Sequence, residues 1–413
     1  MFLSRYFWSH LIDFLMGFGI AFLVIGMTGV FCDENIPAFM TNTGLLFSCF
    51  LLAVLLLTVN RIFLVHIVFN NWLRRRFRRQ VVIVGSDNEA DQIAQHILDY
   101  NAPFWVVGTV GPQSPPDMKK HSSKGCLGKI EELPSIASRF KIDDIIITDK
   151  NIDKPTLVSI LDFCTSAKID AWFSPKSLPI ITIKLRPDIF CGLPMILLGS
   201  QKNIWLFGKI KHTVDTLLSL LLFIILIPLF FIIMLAIKLD SKGPIFYRPQ
   251  AIGKDGNIFS MFKFRSMRVD TDNEIHKTYV SKLIKGEIGK DENEETPLKI
   301  TNDPRVTKIG KILRKWSLDE LPQLINVLKG DMRLVGPRPC LPYEFEMYED
   351  WCKKRTAVVG GITGLWQTTG RSKVSFEDMI LLDLYYIYNR SLSLDFNILF
   401  ETIFVVLGKK GAY

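Results

Sequence analysis

Asp319 and Glu320 stand side by side in WSLDELPQLINVLKGDMRLVGPRP, residues 316–339, and acids so placed among basic residues suggest phosphoryl chemistry. A carboxylate can attack phosphorus, and a neighbouring carboxylate can hold the divalent metal that such transfers use. Arg314 lies five residues before Asp319 with Lys315 next to it, and the two offer positive charge to a polyanionic substrate. Gly336-Pro337-Arg338-Pro339 is stiff on both sides of one guanidinium, a fork suited to phosphate oxygens. The acidic pair also fits an ordinary first turn of a helix, where carboxylates meet the macrodipole and do no chemistry. Spacing alone leaves both readings open.

The elements that must position these groups are legible around them. Ser317 with Glu320 has the form of a capping box, which predicts a helix start. Pro322 is tolerated there only within the first turn. The helix should run through Leu324, Ile325, Val327 and Leu328 and stop at Gly330.

A chain of 413 residues suggests two or three domains. A hydrophobic content of 48% with positive mean hydropathy points to membrane segments. The net charge of +9 suits anionic partners. Anionic lipid headgroups or a small phosphorylated substrate such as a nucleotide-sugar would explain it as well as nucleic acid would, and no nucleic-acid motif accompanies it. The seven cysteines are odd in number and lack CxxC spacing, which speaks for reduced thiols and against a disulfide frame or zinc site.

Two apolar runs, 11–31 and 45–69, are each long enough to cross a bilayer, so residues 1–72 read as a membrane anchor of two transmembrane helices. Arg74, Arg75, Arg76, Arg78 and Arg79 follow directly, and the positive-inside rule places them and the N-terminus in the cytoplasm. Residues 80–200 then alternate as α/β. Val81 to Val84 and Ile145 to Ile147 read as buried parallel strands, with another at 105–108 and helices through Ile93 and Ile97, over 131–140 and over 156–167. This is a Rossmann-like half. Its turn, Gly85-Ser86-Asp87-Asn88-Glu89-Ala90, lacks the further glycines of a dinucleotide site, so a structural or oligomerisation role is favoured over nucleotide binding.

The third apolar segment, 213–237, has Lys202, Lys209 and Lys211 before it and Lys238, Lys242, Arg248 and Lys254 after it. Positive charge on both flanks argues that neither is translocated. A re-entrant helical hairpin bent at Pro228 satisfies this, dipping into one leaflet and returning. A basic strip follows, with Lys263 and Arg265 between aromatics. Residues 270–296 read as an exposed insertion, and 392–407 as either core or, preferably, a helix lying on the membrane surface.

FYRPQAIGKDGNIFSMFKFRSM, ITNDPRVTKIGKILRKWSLDE, SLDELPQLINVLKGDMRLVGPRP and GITGLWQTTGR together resemble the bacterial sugar transferases, the monotopic polyprenyl-phosphate phosphoglycosyl transferases. The resemblance covers 207–413. It implies a membrane-associated α/β protein with N-terminal transmembrane helices, a degenerate CoA-binding-like Rossmann domain at 80–200, and a mainly α catalytic domain at 207–413. Larger relatives of this layout usually carry four N-terminal spanning helices, where two are read here. They often have serine before the hairpin proline, where this chain has Ile227, and usually proline at the position of Gly360.

The activity so implied moves a sugar-1-phosphate from a UDP-sugar, glucose or galactose, to undecaprenyl phosphate and releases UMP. It would open exopolysaccharide, capsule or O-antigen synthesis at the cytoplasmic face of the bacterial inner membrane. Asp319 is then the nucleophile that forms an aspartyl phospho-sugar intermediate, and Glu320 the ligand of Mg²⁺. Lys263, Arg265, Arg314, Arg338 and Arg371 are expected at phosphate oxygens, Lys263 nearest the lipid phosphate, with Asp383 as an acid near the site. A homodimer and contacts with glycan-assembly proteins are further expectations. Two rival functions are a nucleotide-sugar epimerase or dehydratase, disfavoured by the missing glycines and Tyr-x-x-x-Lys, and a non-catalytic scaffold, disfavoured by the Asp319-Glu320 pair.

Overall fold

The computed structural model describes residues 78–85, 88–99, 104–111, 125–174, 188–191, 193–198, 204–268, 274–285, 287, 305–369 and 374–407, with positions 52 and 55. The two expected N-terminal spanning helices and Arg371 lie outside the described residues, as do Arg74, Arg75 and Arg76.

The β-branched runs that predicted buried strands form them. β1 (Arg79–Val84), β2 (Phe104–Val110), β3 (Cys126–Gly128), β4 (Asp144–Ile147), β5 (Asp170–Phe173), β6 (Asp188–Phe190) and β7 (Leu193–Leu198) make one sheet in the order β3-β2-β1-β4-β5-β7-β6. β1 pairs in parallel with β2 and β4, and Val81 to Val84 and Ile145 to Ile147 are wholly buried, as a sheet covered on both faces requires. Helices α1 (Asn88–Asp99), α2 (Leu133–Phe140) and α3 (Lys154–Ala167) fall where the periodicity put them. In α3, Asp153 caps the start by accepting from the Thr156 amide, and Lys168 closes the end in the left-handed region.

Contacts divide the chain into two units, one formed by Met1–Asp149, Trp172–Ser174 and Pro187–Ile196, the other by Lys150–Ala171, Pro175–Arg186 and Leu197–Tyr413. Counted with 80–200 by sequence, α3 clusters with the second unit, where its Asp162 accepts from the Tyr388 hydroxyl at 2.5 Å and pairs with Lys354.

The second unit is built on α4 (Ile204–Asp240), long and apolar enough by length and composition to cross a membrane. Pro228 stands inside it, and the helix runs through that position without an intervening loop, so two separate hairpin arms are not seen. A proline kink needs no break in helical assignment, since only one amide is lost. Both halves of α4 touch the unit. Near its start, Lys211 pairs with Asp215 at 3.2 Å and with Asp395 at 2.8 Å. Past the proline, Phe230, Ile233 and Ile237 form a core cluster with Phe264 and Leu313. Leu217, Leu221, Ile224, Ile225, Phe231, Ile232 and Leu235 of the same helix are exposed.

Beyond α4, β8 (Phe246–Tyr247) pairs antiparallel with β11 (Lys263–Phe264), and β9 (Gln250–Ile252) with β10 (Ile258–Ser260). Within the stretch expected to be an exposed insertion, Glu274–Ile284 is helical. Next come α5 (Lys308–Lys315), a 3-10 turn at Leu318–Gln323, α6 (Leu324–Lys329), β12 (Arg333–Val335), α7 (Pro342–Glu346), β13 (Gly361–Thr363), α8 (Phe376–Tyr388) and α9 (Leu392–Leu407). On α9, Asp395 and Ile398 face inward, while Phe396, Phe400, Ile403 and Phe404 form an exposed apolar face. The inward face is the part of this tail that belongs to the core.

Candidate active site

Asp319 and Glu320 sit on the 3-10 turn, both buried. The expected capping box does not form. Ser317 has φ 53, in the left-handed region, and its side chain makes no cap bond; the Glu320 amide donates instead to the Ser317 carbonyl. The turn leads straight into α6, which ends as predicted at Gly330 with φ 90. Pro322 is accommodated inside the 3-10 turn, which fixes the backbone just after the acids.

Basic groups arrive from two other strands of chain. In β11 the two-residue alternation sends Phe264 into the core, between Phe230 and Phe246, and Lys263 towards the acids. Lys263 Nζ lies 3.5 Å from Glu320 Oε1. Arg338 Nη1 lies 3.1 Å from the same oxygen, and the charge of Glu320 holds the guanidinium still more firmly protonated than usual, with Asp319 adding to it.

The loop that carries Arg338 is held by its backbone. The Gly336 amide donates to Thr363 at 2.9 Å, and the Gly361 amide to Pro337 at 2.8 Å. A Cβ at Gly361 would stand 2.1 Å from the Gly336 nitrogen, so these segments approach as only glycine permits. From behind, Arg355 Nη2 donates to the Arg338 carbonyl at 3.1 Å and to Asp383 at 2.5 Å, while Nη1 donates to the Tyr348 hydroxyl at 3.3 Å. Burial raises the Asp383 carboxyl to about 6, against the pull of Arg355. Asp383 therefore meets the site through Arg355 and the Arg338 backbone, sealed from any substrate at 1% exposure.

Arg265 also takes a different place from the one expected. Its guanidinium donates to the Ser241 and Lys242 carbonyls and the Ser241 hydroxyl, at 2.7 to 3.0 Å, and so clamps the chain leaving α4. Arg314 lies half-buried on α5, which abuts the turn that bears the acids.

Sequence reasoning left two residues out. Arg355 hides in the run Lys353-Lys354-Arg355, which reads as a solvated face, yet it is 4% exposed. Glu344 accepts from the Leu341 amide at 3.0 Å as the third residue of α7. Burial raises its carboxyl, with Arg338, Arg355 and Lys263 opposing. Its one sequence signal is the glutamate at a capping position, without the serine or threonine that normally starts the motif.

The assembled site is a buried carboxylate pair with a lysine and an arginine converging on one of its oxygens. Phosphate oxygens could exchange with Glu320 for those two cations. Among the described residues no group of three His, Cys, Asp or Glu side chains could cage a metal. The pair does suit magnesium of the kind that takes one or two carboxylates and completes its shell with water and substrate phosphates.

Comparison with known proteins gives matches over both parts of the chain. Residues 207–409 match a family described as bacterial sugar transferase, and residues 8–175 one described as CoA-binding domain. An uncharacterized sugar transferase of Haemophilus influenzae is 31% identical over 343 residues, covering 82% of this chain and 71% of the relative. A UDP-glucose:undecaprenyl-phosphate glucose-1-phosphate transferase of Escherichia coli is 30% identical over 355 residues, covering 83% and 71%. An undecaprenyl-phosphate galactose phosphotransferase of Salmonella typhimurium is 41% identical over 204 residues, covering 49% of this chain and 42% of that one.

Proposed function

The chain belongs to the bacterial sugar transferase family and is a phosphotransferase, and we propose that it moves a sugar-1-phosphate from a UDP-sugar to undecaprenyl phosphate. The observation that carries this reading is the Asp319-Glu320 pair buried against Lys263 and Arg338. Donors named for relatives are UDP-glucose and UDP-galactose, and these are the two donors proposed for this chain.

In the proposed reaction an Asp319 carboxylate oxygen attacks the β-phosphorus of the donor. The bond from that phosphorus to the oxygen bridging to UMP breaks, and UMP leaves with the electron pair. An oxygen of the lipid phosphate then attacks the same phosphorus and releases Asp319. Lys263 and Arg338 neutralise phosphate oxygens, and the backbone ties from Thr363, Gly361 and Arg355 keep Arg338 in place. Glu320 would hold Mg²⁺, which supplies charge neutralisation for the diphosphate. The purified chain, given UDP-glucose or UDP-galactose with undecaprenyl phosphate, should release UMP. EDTA and Glu320→Gln should each abolish that release. Full activity in EDTA would remove the metal from the proposal, and no UMP with any UDP-sugar would sink the reaction.

We also propose that α4 enters one leaflet and returns, with the catalytic unit on the cytoplasmic face. Lys211 to Ile237 would span about 40 Å as a straight helix, yet Lys211 pairs with Asp395 while Ile237 packs in the Phe264–Leu313 cluster of the same unit. A straight crossing would part those contacts across a bilayer. Single cysteines at positions 202 and 242, without the native thiols, should both resist impermeant thiol reagents in intact cells. Labelling at 242 alone would mean that α4 crosses.

A further inference from the structure

Helix α3 stands in the sequence between β4 and β5, yet it clusters with the catalytic unit. The short helix Asp350–Lys353 packs against it, and Trp351 and Cys352 of that helix are buried. From α3, Asp162 reaches out with both carboxylate oxygens. Oδ1 accepts from the Tyr388 hydroxyl at 2.5 Å, and Oδ2 pairs with Lys354 Nζ. Burial, and then the bond to Asp162, raise the Tyr388 phenol, so it stays a donor. The proposed chemistry calls on none of these three residues.

The two partners of Asp162 belong to the elements that support the site. Tyr388 is the last residue of α8, the helix that carries Asp383. Lys354 opens the 3-10 turn Lys354–Ala357, whose next residue is Arg355. Arg355 and Asp383 join that helix and that turn from the inside, and Asp162 joins them from the outside, with its side chain 42% exposed against 1% for Asp383. An ion pair so open to water adds little stability, so what the contact supplies is geometry. Arg355 in turn donates to the Arg338 carbonyl, behind the guanidinium that meets Glu320. We infer that Asp162 is a positioning residue for the transfer reaction: it pins the end of α8 to the Lys354–Ala357 turn and so keeps Arg355 under the Arg338 loop. A helix that the sequence assigns to the α/β part thereby acts on turnover. The inference rests on the proposed reaction for its kinetic readout.

The test uses the full chain in bilayer discs. UMP release gives kcat and KM, and amide hydrogen exchange follows residues 354–357 and 384–388. Asp162→Ala should lower kcat by roughly ten- to a hundredfold, the scale of a small misplacement of a binding group. The KM for the UDP-sugar should change by less than about threefold, and melting should stay close to that of the wild type. Asp162→Asn keeps an oxygen for the tyrosine hydroxyl and should remain within roughly threefold of wild-type kcat. Tyr388→Phe, the gentler variant, should lower kcat too, and adding it to Asp162→Ala should cost nothing more, because the same tie is already lost. Exchange in both segments should quicken in Asp162→Ala and in Tyr388→Phe. Wild-type kcat in Asp162→Ala would overturn the inference. So would an Asp162→Asn protein as slow as Asp162→Ala, or a loss of kcat matched by an equal loss of folded protein. If the wild type released no UMP, the reaction would fail, and exchange alone would decide the clamp: quickened exchange in Asp162→Ala upholds it, and unchanged exchange sinks it.

Discussion

Asp319→Asn should leave the protein folded and membrane-bound while turnover falls by at least ~10³-fold, the scale of losing a covalent nucleophile. The amide has the shape of the carboxylate, so the 3-10 turn and the packing beneath it can persist. What the amide lacks is an oxygen able to accept the phospho-sugar. Wild-type protein given UDP-sugar labelled in the sugar, without lipid, should retain label on the chain after denaturation. The Asp319→Asn protein should retain none. Loss of the Glu320 charge has a different signature, because Glu320 is argued to act through a metal and through Lys263 and Arg338. Undiminished turnover in the Asp319→Asn protein would exclude it as the nucleophile, whatever else the site binds.

The parts of this molecule that sequence made legible are those where one local rule decides the outcome. Val81 to Val84 and Ile145 to Ile147 have little choice but burial in a parallel sheet, and Gly330 is a clear end for α6. Ser317 fails as a cap because its backbone lies in the left-handed region, where an N-cap does not sit, and a four-residue pattern does not convey that. Arg265 and Arg338 look alike as basic residues beside prolines or aromatics. Only the fold separates them, by turning one onto the Ser241 and Lys242 carbonyls and the other onto Glu320. Asp383 and Arg355, 28 residues apart, become a pair only when α8 packs against the 3-10 turn Lys354–Ala357. Chain-distant pairing of this kind leaves no periodicity to read.

That pair carries the second large effect expected. Arg355→Ala should destabilise the catalytic unit by about 3–5 kcal/mol, because it strands a carboxylate at a position almost closed to water. Against a total stability of roughly 5–15 kcal/mol for a domain, this is enough to lower the melting temperature sharply. Burial pushes the Asp383 carboxyl up even in the presence of its partner, so desolvation is the cost that the ion pair has to offset. Removing both charges should therefore be far milder than removing one, and Arg355→Met with Asp383→Leu should recover most of the lost stability. Activity should not follow stability back. Arg355 also donates to the Arg338 carbonyl, and the double variant cannot, so the guanidinium proposed to bind phosphate loses a tie on its own backbone. The expected result is a folded protein with normal melting and depressed kcat. If the double variant regained both, Arg355 would be part of the scaffold only; if Arg355→Ala melted like the wild type, the buried pair would not exist in solution.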